Sequence, residues 1–313
     1  MLGIVIRTAG SSYLVRTEGH GDVECAVRGN FRLRGIRTTN PVAVGDRVEI
    51  VVGPEGGGMI TAVGERRNYV IRKATNLSKQ SQILGANIDQ VLLFFTVARP
   101  ETLPTFIDRF IASAEAYRVD VILAFSKIDT YSPAEAGQVR NYAHIYEAIG
   151  YRTVSLCCLD PISPKIRAML VGKTTLVAGN SGTGKSTFVN SLIPDAGAKT
   201  ADISESHLTG MHTTTDSRMY FLPDSGDGGG AVIDIPGIKG FGTFSMKRAE
   251  VSHYFREIFS IGRDCRFSDC THTGEPGCAV KAALAEGRIA PSRYASYLNM
   301  LDDYDGAKYR EAY

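Results

Sequence analysis

The eight residues Gly179-Asn180-Ser181-Gly182-Thr183-Gly184-Lys185-Ser186 constrain this chain more than any other feature. They match G-x-x-x-x-G-K-[ST], follow an apolar run at 174–178 and precede a stretch with helical spacing at 185–192. A glycine-rich turn between a parallel strand and a helix lets backbone N–H groups curl around a row of phosphates, and the helix N-terminus adds its positive dipole end. In that frame Lys185 reaches the outer phosphates, Ser186 binds Mg²⁺, and Thr187 follows in the first helical turn. The surrounding domain must then be a doubly wound α/β fold whose site lies at the carboxyl ends of parallel strands.

Three further pieces fit that frame. Asp234-Ile235-Pro236-Gly237 follows an apolar strand and has the form D-x-x-G, offering Asp234 to Mg²⁺ through water and the Gly237 N–H to a γ-phosphate. Between the two motifs lies Gly210-Met211-His212-Thr213-Thr214-Thr215. Thr214 is expected to be the second hydroxyl ligand of Mg²⁺, with Thr213 and Thr215 as alternatives. His212 reads either as a contributor to catalysis or partner contact, or as a solvated loop histidine. Ser126-Lys127-Ile128-Asp129 ends an apolar run at 119–125 and is close to the guanine reader [N/T]-K-x-D. A carboxylate at Asp129 accepts from both N1–H and the exocyclic amine of guanine, a pair of donors that adenine lacks, so GTP is favoured over ATP. Ser126 stands where the usual Asn would also brace the phosphate loop. Ser155, at the end of the following strand, reads as a base-contacting residue or as part of a buried strand end.

The order of these pieces is unusual. The base reader precedes the phosphate loop by about fifty residues, so the domain is circularly permuted; a site built from convergent strand ends tolerates this. The residue after Gly237 is Ile238, whose aliphatic side chain cannot orient water where other GTPases use Gln, so slow intrinsic hydrolysis and activation by a partner are expected.

Cys265, Cys270, His272 and Cys278 gather three thiols and an imidazole in a loop rich in Gly, Pro and Thr. That is the donor set of a closed, structural zinc site, with an iron–sulfur centre or unliganded thiols as alternatives. Cys25, Cys157 and Cys158 lie in apolar runs and read as core.

The first 70 residues hold about five short alternating runs (3–8, 12–17, 23–27, 47–52 and 59–63) separated by Gly, Asn and Pro turns, with no helix between them. They predict a small barrel, an OB-fold or an SH3-like one. Eleven of the first 75 residues are basic against seven acidic, and Arg28, Arg32, Arg34 and Arg37 succeed one another without an acidic residue, either as a solvated face or as a footprint for a polyanion. The longest apolar stretch, 91–98, is far shorter than the roughly 20 residues that cross a bilayer. The N-terminus alternates apolar and polar residues, unlike a secretory leader, so a cytoplasmic protein without a membrane partner is expected.

Taken together, the barrel, the order SKID, GNSGTGKS, GMHTTT and DIPG, and the Cys265/Cys270/His272/Cys278 cluster resemble the ribosome-small-subunit-dependent GTPase A family, also called RsgA or YjeQ. The resemblance spans essentially the whole chain. It implies an OB-fold at 1–72, a circularly permuted P-loop GTPase domain at 73–243 and a helical zinc-binding domain at 244–313. It implies GTP hydrolysis stimulated by the small ribosomal subunit and a role in its late maturation. The basic barrel would then face rRNA, and the cofactors are Mg²⁺ with GTP and one zinc. Monomeric behaviour is expected. Two other readings stand beside it: a GTP-binding RNA scaffold without turnover, and a P-loop phosphotransferase acting on a small molecule.

Overall fold

The computed structural model describes residues 1–27, 41–54, 56–73, 81–157, 160–198, 217–223, 229–235 and 246–305. Strands β1 (Leu2–Ala9), β2 (Ser12–Thr17), β3 (Gly21–Val27), β4 (Arg47–Val52) and β5 (Gly58–Val63) pair in the order β1-β2-β3-β5-β4, and β4 returns to β1. This closes a five-stranded barrel, the OB-like alternative of the two barrels expected. All its pairings are antiparallel except β3 with β5. Alternation fills it: Val5, Val15, Val23, Cys25, Val48, Ile50 and Ile60 point inward and are buried.

The strands β6 (Tyr69–Lys73) and β7 (Ser81–Ala86) form a separate antiparallel pair that leads into the second domain. Their short runs lack the strict alternation of the barrel strands, and no strand was expected there.

The α/β domain continues with β8 (Gln90–Phe95), α1 (Pro104–Ala116), β9 (Asp120–Ser126), α2 (Pro133–Ala148), β10 (Arg152–Leu156), α3 (Pro164–Leu170), β11 (Thr174–Gly179), α4 (Lys185–Leu192), β12 (Ser217–Phe221) and β13 (Ala231–Asp234). The sheet order is β10-β9-β8-β11-β13-β12, parallel throughout except for β12. Both faces of β8 and β9 are buried. Val91, Leu93, Phe95, Leu123 and Phe125 pack under α1 and α2, whereas Leu92, Phe94, Ile122 and Ala124 pack with Phe188, Val189 and Leu192 of α4. This two-sided burial is why β8 reads as an unbroken apolar run in the sequence. Helix α2 starts as its sequence dictates: Ser132 accepts from the Glu135 N–H, the Glu135 carboxylate accepts from the Ser132 N–H, and Pro133 takes the first helical position.

Barrel and α/β sheet are one continuous eleven-stranded sheet. A bulge between Val5 and Arg7 splits β1, so that its first half pairs with β4 and its second half, through Arg7 and Thr8, with Arg218 and Ser217 of β12.

The last domain holds α5 (Arg256–Gly262), α6 (Ala279–Ala285) and α7 (Pro291–Asp305). It docks on α1 through a buried charge cluster. Arg293, 1% exposed, donates to Asp108 Oδ1 at 2.7 Å and to both oxygens of Glu257 at 2.7 and 3.1 Å, while Tyr146 donates to the same Asp108 oxygen at 2.8 Å. Removing one member strands the others in a low-dielectric interior. Arg293→Met is therefore expected to cost about 3–5 kcal/mol in urea unfolding, and a loss below about 1 kcal/mol would contradict this account.

Candidate nucleotide site and metal centre

The strand register brings the phosphate loop, the Ser126–Asp129 segment and Asp234 to one edge of the sheet. Gly179 pairs with Phe94, Phe95 with Phe125, Leu156 with Ser126, and Val177 with Asp234. The carboxyl ends of β8, β9, β10, β11 and β13 therefore converge.

Gly179 ends β11 at φ +144°, and a Cβ there would lie 2.9 Å from the Phe94 carbonyl oxygen and 3.0 Å from Phe94 Cβ. Only glycine fits so close to the neighbouring strand. Asn180, Ser181, Gly182 and Thr183 form the turn, held by the Thr183 hydroxyl donating to Asn180 O at 2.9 Å. Gly184, at φ +95°, is the N-cap of α4, whose first turn carries Lys185, Ser186 and Thr187. The turn thus ends on a helix N-terminus, as phosphate binding requires.

Lys185 is buried, and its ammonium donates to Gly179 O at 3.0 Å and Asn180 O at 2.6 Å. Burial pushes it down to about 8, against the pull of Asp234. Burial likewise pushes the Asp234 carboxyl up to about 6, against the pull of Lys185. Asp234 Oδ1 is buried with no hydrogen-bond partner among the described residues. An unsatisfied carboxylate oxygen beside a phosphate loop suits a hydrated divalent cation, so the residues present fit Mg²⁺. Ser186 and, through water, Asp234 would hold it; the ion supplies neutralisation of charge on the phosphate oxygens.

The two shifts have opposite consequences for stability. Asp234 holds its proton more tightly when folded, so stability is lost as pH rises from about 4 to about 6. Lys185 holds its proton less tightly when folded, so stability recovers as pH rises above about 8. At pH 7 both charges burden the nucleotide-free site. Asp234→Asn is expected to stabilise the nucleotide-free protein at pH 7 by about 1–2 kcal/mol while slowing hydrolysis. Urea unfolding at pH 7 and pH 4 checks it: the gain should vanish at pH 4, and a net loss at pH 7 would overturn it.

The segment expected to read the base follows β9. Ser126 is fully buried, and its carbonyl accepts from the Tyr131 hydroxyl at 2.7 Å. Lys127 is left-handed at φ +60°, and Ile128 and Asp129 lie exposed in a single 3₁₀ turn, Ile128–Thr130. Ser155 is exposed on β10 opposite Phe125, at the same sheet edge. Strand β10 stops at Leu156, so Cys157 is half-buried beyond it, whereas Cys25 is core. His212, Thr213, Thr214, Thr215, Gly237 and Ile238 lie outside the described residues, as do Cys158 and the arginines at 28, 32, 34 and 37.

The metal cluster assembles as its spacing predicts. The four donor atoms of Cys265, Cys270, His272 and Cys278 lie within 4.8 Å of one another. Cys265 Sγ is 4.0 Å from Cys278 Sγ, and His272 Nδ1 is 3.5 and 3.6 Å from these two sulfurs. A tetrahedron with Zn–S bonds of about 2.3 Å has edges of about 3.8 Å, so the site fits zinc with Nδ1 as the imidazole ligand. Burial keeps His272 neutral by lowering its pKa, as a ligand must be, and pushes the Cys270 thiol up to about 12 in the metal-free chain. Zinc binding therefore has to release thiol protons.

An outer layer that the motif alone did not reveal orients this loop. Glu275 accepts from the N–H groups of Thr271, Thr273 and Gly274 and from the Thr271 hydroxyl, at 2.6–3.0 Å. Tyr294 and Tyr297 of α7 donate to His272 O and Thr271 O at 2.6 and 2.8 Å. These tyrosines are visible in the sequence only as a Tyr-rich tail.

Comparison with known proteins agrees with this geometry. The model of the RsgA N-terminal domain matches residues 2–60, and that of the RsgA GTPase matches residues 63–244. Proteins named small ribosomal subunit biogenesis GTPase RsgA from Phocaeicola vulgatus and Porphyromonas gingivalis are 51% and 53% identical to this chain, over 100% of both chains in each case. The crystal structure of YjeQ from Thermotoga maritima matches with a TM-score of 0.73 at 32% identity, over 98% of this chain and 99% of that one. That of YloQ, described as a circularly permuted GTPase, matches at 0.69 and 26%, over 99% and 96%. With a phosphate loop entered from β11, a base reader that precedes it in the chain, and full-length likeness to these proteins, this chain belongs to the RsgA family of circularly permuted GTPases.

Proposed function

We propose that this chain is a GTPase of small-ribosomal-subunit biogenesis, which binds the subunit and its rRNA, hydrolyses GTP when bound there and assists late maturation. One observation carries the reading: a single sheet edge joins a phosphate loop, an acidic base reader and a buried Lys185–Asp234 pair, within a chain that also holds a barrel and a Cys₃His module. The name shared by the full-length relatives supports the partner. The basic excess of the first 75 residues supports an rRNA-facing barrel. We divide the chain into the barrel at 1–72, the GTPase domain at 73–243 and the zinc domain at 244–313. It works as a monomer in the cytoplasm, where subunits are assembled.

In this reading Gly179, Asn180, Ser181, Gly182, Thr183, Gly184, Lys185, Ser186 and Thr187 bind the phosphates. Ser126, Lys127, Ile128, Asp129 and Ser155 surround the guanine. Ser186 and Thr214 ligate Mg²⁺, and Asp234, Gly237 and His212 complete the catalytic end. Catalysis is positioning and electrostatics, since phosphoryl transfer leaves the protein little covalent work.

The test is GTP hydrolysis by the purified protein alone and with small subunits, large subunits or free RNA, with ATP as control. Small subunits are expected to accelerate GTP turnover by at least ~10-fold and ATP turnover not at all. GTP binding without turnover under every condition would favour a scaffold, and transfer to a small acceptor would favour a phosphotransferase.

A further inference from the structure

The same sheet edge carries a segment that belongs to none of the motifs: residues 96–102, between β8 and α1. It is a closed loop. The Thr96 hydroxyl donates to Pro100 O at 2.5 Å, the Thr102 N–H donates to Thr96 O at 2.8 Å, and the two threonine hydroxyls lie 3.1 Å apart. At its tip Arg99 is left-handed, φ +51°, a conformation that costs energy for a residue with a Cβ.

Arg99 meets the base-reader turn at two points and helix α2 at a third. Its carbonyl accepts from Lys127 Nζ at 2.7 Å. Its guanidinium donates to Thr130 O at 2.8 Å and, bidentately, to the Glu135 carboxylate at 2.8 and 2.9 Å. Glu135 is at the same time the residue that caps α2 through Ser132. The next residue, Pro100, packs on the phosphate loop: a Cβ added to Gly182 would lie 3.5 Å from Pro100 Cδ. One short loop thus touches the phosphate loop on one side and the turn carrying Lys127 and Asp129 on the other.

We propose that Arg99 is a positioning residue for guanine nucleotide binding: its guanidinium clamps the Lys127–Thr130 turn and α2, and so sets the distance between the base reader and the phosphate loop. A forked donor is what the geometry uses, because two parallel bonds to one carboxylate fix orientation where a point charge does not. The left-handed backbone at Arg99 is held by these contacts, and it aims the carbonyl at Lys127. Arg99 acts through Lys127 and Asp129, and the inference rests on Asp129 reading guanine.

The test is binding of N-methylanthraniloyl-GDP and small-subunit-stimulated GTP hydrolysis by Arg99→Ala, Arg99→Lys and Arg99→Gly chains, with Asp129→Asn as control and thermal melts to verify folding. Arg99 is 56% exposed at its side chain, so all three are expected to fold. Arg99→Ala should raise Kd and KM ~10-fold with kcat within about twofold, the size of effect that small misplacement produces. Arg99→Lys should recover part of the loss. Arg99→Gly separates the clamp from the backbone, since glycine takes φ +51° freely. If the guanidinium positions the turn, Gly fails as Ala does; if Gly restores native affinity, the clamp is refuted. Native affinity in both variants also overturns the proposal, provided that Asp129→Asn abolishes GTP binding in favour of XTP. Unchanged GTP preference in Asp129→Asn would instead overturn the base-reader reading beneath it.

Discussion

Lys185→Met is expected to lower kcat/KM for GTP by roughly 10²- to 10³-fold, the scale on which a single preorganised donor acts on a developing oxyanion. The reason lies in how the side chain is held. Its ammonium sits buried against the carbonyls of its own loop, 3.0 and 2.6 Å away, with Asp234 as the nearby counter-charge. An incoming phosphate chain offers this cation stronger acceptors than two neutral carbonyls, and the low dielectric that depresses its pKa also magnifies the attraction. Methionine keeps most of the volume and removes only the charge, and because that charge burdens the nucleotide-free site at pH 7 the fold should persist with a melting temperature at or above that of the native chain. Steady-state hydrolysis with small subunits, with circular dichroism on the same sample, measures both quantities. An unchanged kcat/KM would remove Lys185 from the site.

Loss of the metal is expected to have the largest effect on structure. Structural zinc sites contribute apparent binding energies of about 10–16 kcal/mol, comparable to the stability of a whole domain. Here the ligands span residues 265–278, which hold no helix or strand and meet regular structure only at Cys278, the N-cap of α6. Cys278 lies in the core of the last domain beside Val280, Ile258, Phe255 and Met300, and that same core includes Ala112 of α1. Cys278→Ser, or exhaustive chelation, should abolish zinc content and expose this core as an early transition in thermal unfolding, with the barrel melting later. Metal analysis and differential scanning calorimetry check the two halves of the expectation. A Cys278→Ser chain that binds no zinc yet melts in a single native transition would show that packing alone maintains the module.

The contrast between these two sites and the Arg99 loop shows where sequence reading reaches its limit. Lys185 and the zinc ligands were legible because their chemistry depends on spacing within about fifteen residues. Arg99 was not legible, because its partners Thr130 and Glu135 lie 31 and 36 positions away and an exposed-looking Arg-Pro carries no periodic signal. Arg293 was hidden for a related reason. A charged residue near the start of a polar helix reads as a solvated face, and only the docking of α7 on α1 buries it against Asp108, 185 positions earlier. The β6–β7 pair escaped notice because short strands without clean alternation resemble loops.

What the amino-acid order determined by itself was local. It set the glycine positions that let the phosphate loop turn, the capping box of α2, the alternation that closes a barrel, and a donor set that admits zinc. These rest on backbone sterics, on hydrogen bonds within one turn and on hydrophobic period, all of which act between residues close in the chain. The tertiary structure alone decided which strands became neighbours. It joined barrel and GTPase sheet through β1 and β12, and placed Asp234 beside Lys185. It also set the Arg99 loop between the two halves of the nucleotide site. Such contacts arise when apolar faces are buried together, and that driving force is non-directional: it specifies that a face be covered and leaves the choice of partner to the packing of the whole.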